Sequence, residues 1–220
     1  MKMMKWIVSF CIATIFIFGV YLMQVVTVKI IRLDKSFMFL TVHAEGVEAC
    51  LAQVQLDGGA GFLLKTGKIE KVALAVYLQE ENGILVKERL SKTYNSVQIE
   101  KISVPALYFQ GIHEKQTANT IYSAFQNFYT MIERLESIIY EIDNGATQES
   151  SKRKISVIFE CFSIFSKTYQ DDFKEFSALC KNATSALNNC IDGICYTKNL
   201  RYILCEWCVA YVELSNQFSL

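Results

Sequence analysis

The sequence predicts an α+β protein with an N-terminal transmembrane helix, a small, mostly antiparallel β domain and a C-terminal antiparallel three-helix bundle. Three observations carry that expectation. Residues Trp6–Val28 are an uncharged, strongly apolar run. Residues 29–112 show short apolar/polar alternation rich in β-branched and aromatic side chains. From residue 113 to residue 220 the apolar period becomes helical and stays so. The expected organisation is therefore 1–28 as anchor, 29–112 as β-rich domain and 113–220 as helical bundle.

The anchor is justified by length and content. The 23 residues Trp6–Val28 would span about 34 Å as a helix at about 1.5 Å per residue, and a hydrocarbon core is about 30 Å thick. Fourteen of them are Ile, Phe, Val, Leu or Met, which outweighs Ser9, Thr14, Gln24 and Thr27 on an insertion scale. A secretory signal has a shorter apolar stretch followed by small residues at a cleavage site. Here the run ends in Met-Gln-Val-Val-Thr-Val-Lys, so an uncleaved anchor is expected. Lys2 and Lys5 flank one side and Lys29, Arg32 and Lys35 the other. The short lysine-bearing tail favours an N-terminus in the cytoplasm and a body outside it.

In the β-rich part, Phe37–Val42, Val47–Leu56, Ile69–Leu78, Ile84–Leu90, Val97–Val104 and Leu107–Gln110 read as strands of a sheet or barrel. For Glu48–Gln55 a short helix is the alternative. Asp57-Gly58-Gly59 and Glu81-Asn82-Gly83 read as turns between strands, since Asn-Gly suits a type I′ hairpin. Pro105 separates the last two strands.

Three heptad seams define the helical part. Ala118, Ile121, Phe125, Phe128, Ile132, Leu135, Ile139 and Ile142 alternate steps of three and four, and Asp143-Asn144-Gly145 stops the run. The second seam is Ile155, Ile158, Phe162, Phe165, Tyr169, Phe173, Phe176 and Cys180, with two successive steps of four at Tyr169. The third is Leu200, Leu204, Trp207, Tyr211, Leu214 and Phe218. Short polar connections make the helices antiparallel neighbours. Apolar nearly all round from Ile155 to Phe165, the second helix is expected to be the central one. Phe and Tyr on the seams suit a globular bundle better than a slim coiled coil, and Tyr122, Tyr129 and Ile138 are left over for self-association.

Charge and cysteines bound the chemistry. The 22 basic and 22 acidic residues balance, so no basic field argues for nucleic acid. Of eight cysteines, Cys11 lies in the anchor, and Cys180, Cys190, Cys195, Cys205 and Cys208 cluster near the C-terminus. In an oxidising compartment these five are disulfide candidates, and Asn182-Ala183-Thr184 is a glycosylation acceptor there. In a reducing compartment they are buried small hydrophobes. Cys205-Glu206-Trp207-Cys208 has redox and zinc spacing, but it lies inside a helix with no βαβ unit before it. His43 and His113 have no triad partners in view, Asp171-Asp172 reads as a solvated pair, and Gly58-Gly59-Ala60-Gly61 lacks the lysine of a phosphate loop. No catalytic residue, cofactor or metal ligand is assigned.

Gly46-Val47, Val54-x-x-x-Gly58 and Thr66-Gly67-Lys68-Ile69, behind an N-terminal anchor and ahead of long helices, resemble elements of the MCE-domain lipid-transport proteins of bacterial envelopes. That resemblance implies a hexameric ring with a lipid path and no catalysis; the cysteine-rich helical half departs from the family. The expectation from the residues themselves is a single-pass, membrane-anchored, non-enzymatic protein whose bundle binds a protein partner or self-associates.

Overall fold

The computed structural model describes residues 28–43, 46–66, 69–94, 96–110, 114–193 and 196–219. The expected anchor lies outside them, apart from Val28. Among the described residues no helix is long and apolar enough to cross a membrane. The described chain is α+β, with six helices and two antiparallel sheets.

The elements run β1 (Val28–Ile31), β2 (Ser36–Val42), α1 (Val47–Leu56), β3 (Phe62–Thr66), β4 (Ile69–Tyr77), α2 (Glu80–Leu90), β5 (Gln98–Ser103) and β6 (Leu107–Gln110). Four longer helices follow: α3 (Glu114–Asp143), α4 (Gln148–Thr168), α5 (Lys174–Asp192) and α6 (Thr197–Asn216). The main sheet has the order β3-β4-β2-β5, antiparallel throughout. With α1 joining β2 to β3 and α2 joining β4 to β5, it is a βαββαβ unit, the split βαβ motif. β1 pairs with β6 in a separate ribbon, Val28 opposite Gln110 and Ile31 opposite Leu107.

Two expected strands are helices. In Val47–Leu56 the residues that pack on the sheet are Val47, Cys50, Leu51 and Val54, a spacing of i, i+3, i+4, i+7 that only a helix brings to one side. Ile84–Leu90 belongs to α2, and the expected Glu81-Asn82-Gly83 hairpin is its first turn. Gly83 is buried there because α2 crosses β2 closely: a Cβ on it would stand 3.5 Å from the Cβ of Met38. Glu80 and Glu81 in the first turn, with Lys87 and Arg89 in the last, complement the helix dipole. Phe62–Thr66 is a strand outside the expected set; β3 pairs along β4 from Phe62 opposite Ala73 to Thr66 opposite Ile69.

The bundle has four helices rather than three. The second seam breaks at Tyr169–Phe173, where two steps of four put Phe165, Tyr169 and Phe173 off one stripe. Tyr169 N–H still bonds Phe165 O and Phe173 N–H bonds Tyr169 O, but Phe173 leaves the helical conformation (φ −151°, ψ 78°) and caps the N-terminus of α5. Its ring packs on Phe125, Phe176 and Phe218. Nor is the second helix central. α6 lies on β3 and β4 and α3 on the β1–β6 ribbon, while α4 and α5 pack on each other outside them. Consequently Val157 is 49% and Ile164 61% exposed. Of the residues left over for self-association, Tyr129 and Ile138 are buried and Tyr122 is exposed.

The main sheet is thus the middle of three layers. Leu40, Val42, Val72, Leu74 and Val97 face α1 and α2. Phe37, Phe39, Leu64, Ala73 and Val76 join a larger core with Phe125, Phe128, Phe162, Phe176, Trp207 and Tyr211. That core draws on residues from both sides of position 113.

Candidate functional site

β4 is nine residues long and β3 only five, so β4 outruns its neighbour. Beyond Ala73 a cleft of about 680 Å³ opens, within the usual range of small-molecule and peptide pockets. Its floor is the end of β4 (Ala75, Val76, Tyr77). One wall is α2 and the other the C-terminal third of α3, and Arg201 and Leu204 of α6 close one end.

The polar groups of the cleft are held by the fold. Leu78 N–H, at the exit of β4, donates to Glu136 Oε1 of α3 at 3.0 Å. Burial raises the Glu136 carboxyl above its ordinary value near 4.5, an effect the Leu78 bond opposes and the neighbouring Glu133 reinforces. Arg201 donates through Nη2 to Asp143 Oδ2 at 2.6 Å and through Nη1 to the Gly58 carbonyl. It therefore ties α6 to the end of α3 and to the turn ahead of β3. That turn needs glycine, since Gly58 and Gly61 have φ of +85° and +57°. The Tyr77 hydroxyl is pushed above its usual value, first by burial.

Because the folded pKa of Glu136 is raised, its contribution to stability is fully present below the unfolded value near 4.5 and lost as pH rises through the folded value. Glu136→Gln keeps an acceptor for Leu78 and removes the charge. Its stability relative to wild type should therefore improve between pH 4 and neutrality, read as urea midpoints at both pH values. A difference that does not change with pH would contradict the assignment.

The cysteine candidates lie elsewhere. Cys180 and Cys190 are buried on α5 and Cys205 and Cys208 on α6, all in the larger core. Cys195 lies outside the described residues. No disulfide joins two described residues. Burial pushes the Cys180 thiol up to about 12 and raises those of Cys205 and Cys208 further, which disfavours the thiolate needed for nucleophilic or redox work. Iodoacetamide should leave Cys180, Cys205 and Cys208 unmodified in the native protein and alkylate them in urea. Native labelling at unfolded rates would show that α5 and α6 do not bury them.

Among the described residues no group of three His, Cys, Asp or Glu side chains is arranged to hold a metal ion. His43 is exposed, as are Asp171 and Asp172; His113 lies outside the described residues. The cleft has little local signature in the sequence, because its residues come from four separated segments. Their one local signal is the placement of Glu133 and Glu136 beside a seam position, Leu135. Comparison with protein-family models, curated proteins and solved structures gave no match to this chain. The segments that resemble MCE domains, Gly46-Val47 and Val54–Gly58, here begin and end helix α1.

Proposed function

We propose that the protein is a membrane-tethered interaction protein. Its N-terminus is cytoplasmic, its body extracytoplasmic, and the cleft beside β4 takes a protein partner without chemical conversion. The observation that carries this reading is the cleft itself, floored by the end of β4 and walled by α2 and α3. In the sequence, the apolar run Trp6–Val28 ends on the first residue of β1. Lys29 Nζ donates to Asn119 Oδ1 at 2.7 Å, which pins β1 to the start of α3. The cleft lies along Glu133–Asp143 of the same helix, about 21–36 Å further on at about 1.5 Å per residue. The raised thiol pKa values favour binding over thiol chemistry.

Two measurements test it. After carbonate washing, the full-length chain should stay in the membrane pellet, and a chain lacking residues 1–27 should move to the supernatant. A photo-crosslinking amino acid at Arg89, on the cleft wall, should capture a defined protein in cells, whereas one at Glu175, exposed on α5, should not. Full-length protein in the supernatant would remove the tether. Identical capture at both positions, or capture at neither, would remove the cleft as the binding surface.

A further inference from the structure

Resting on that reading of the cleft, we infer how the partner is held: an extended segment of it adds as a strand to the open edge of β4, in line with β3. β3 covers β4 only as far as Ala73. One more rung follows, Ala60 N–H to Leu74 O at 2.7 Å, and the chain then turns off through Gly59 and Gly58. β4 continues to Tyr77 with β2 on one side, Leu40 opposite Ala75 and Met38 opposite Tyr77. A β-bulge at Leu40/Thr41 inserts Leu74.

Backbone groups alternate along a strand. The Leu74 carbonyl and the Leu78 N–H both point to the β3 side, as their partners Ala60 and Glu136 show. Val104 N–H bonds Lys35 O, so along β2 Phe37 and Phe39 turn their backbone groups to β5 and Met38 and Leu40 turn theirs to Tyr77 and Ala75; the N–H and C=O of Val76, between those two, therefore face the cleft side. Among the described residues neither has a partner outside the ladder. Unpaired strand edges of this kind template the addition of another chain unless they are covered. Glu136 covers one donor, at Leu78, and leaves the backbone groups of Val76, itself only 3% exposed, facing the cleft without a strand beside them. The open stretch from Ala75 to Leu78 is about 13 Å long at about 3.3 Å per residue.

The walls select the occupant. Side chains of an added strand alternate between two faces, here α2 with Leu85 and Val86, and Arg89 in its last turn, and α3 with Glu133 and Glu136. Asp143 is neutralised by Arg201, whereas Glu133 and Glu136 have no ion-pair partner among the described residues. The complementary segment therefore alternates basic side chains, turned to α3, with apolar ones turned to Leu85 and Val86.

The test uses full-length protein in neutral detergent and a fluorescent acetylated peptide of alternating lysine and valine. That peptide should bind at least about tenfold more tightly than its glutamate–valine counterpart. N-methylating alternate backbone amides should weaken it about tenfold in the register where it removes the N–H donated to the Val76 carbonyl. Bound peptide should slow deuterium exchange in β4, and Glu133→Gln with Glu136→Gln should abolish the preference for lysine. Equal affinity after N-methylation, unchanged exchange in β4, or no saturable binding would each overturn strand addition. If a crosslinker at Arg89 still captures a partner in that case, the partner site stands and only the mode of binding falls.

Discussion

Replacing Phe37 by alanine is expected to destabilise the described fold by about 3–5 kcal/mol, the usual cost of emptying a buried phenylalanine site, and to do so in one transition. Phe37 lies on β2, in the middle layer, with no exposed surface. Its ring stands 5.7 Å from Tyr211 of α6, edge to face, and 6.3 Å from Tyr129 of α3. The cavity would open between sheet and helices, where the two share a core. Urea unfolding followed by far-ultraviolet circular dichroism reads mostly the helices, and the change in fluorescence reads Trp207 at their centre against the contribution of Trp6. Both midpoints should fall together. A helical transition unmoved by Phe37→Ala would mean that residues 29–112 and 113–220 unfold independently.

A loss of similar size is expected for Phe128→Ala, because that side chain joins all four bundle helices. From α3 its ring meets Phe162 of α4 at 5.7 Å, Phe176 of α5 at 6.0 Å, and Trp207 and Tyr211 of α6 at 6.1 and 5.9 Å. Loss of burial and the cavity together should cost about 3–5 kcal/mol, with part of the aromatic pairing, about 0.5–1.5 kcal/mol per pair, lost besides. At about 2–4 °C per kcal/mol for a chain of this size, the melting temperature should drop by about 10 °C. Lys167→Ala, on the exposed side of α4, should stay within about 0.5 kcal/mol of wild type. Small effects at both positions would show that α4 and α5 do not dock on α3 through this ring cluster.

Much of the architecture was legible because long elements repeat their signal. The seam from Ala118 to Ile142 repeats over many turns, and the structure ends α3 at Asp143, followed by Gly145 at φ +93°. Strands β2, β4, β5 and β6 alternate or run apolar between turns and were placed to within a residue or two. The short helices α1 and α2 misled because each has only about three turns. Val, Ile and Leu in such a window serve a strand as well as a helix until the neighbour that buries them is known. The step of four at Tyr169 was visible as a change of register, yet only the docking of Phe173 against Phe125, Phe176 and Phe218 turns it into a break.

For the candidate site, the sequence drew attention to the cysteines, whose spacing is local, and could not see the cleft. Tyr77, Arg89, Glu136 and Arg201 meet there only because β3 stops at Phe62 while β4 runs on to Tyr77. By itself the sequence determined the α+β class, the long amphipathic helices and the uncharged N-terminal run, since these depend on period and composition within one segment. Tertiary structure alone decided which apolar face became core, which thiols were buried and where an edge stayed open. Those outcomes depend on which distant segments exclude water from one another, and no single segment carries that information.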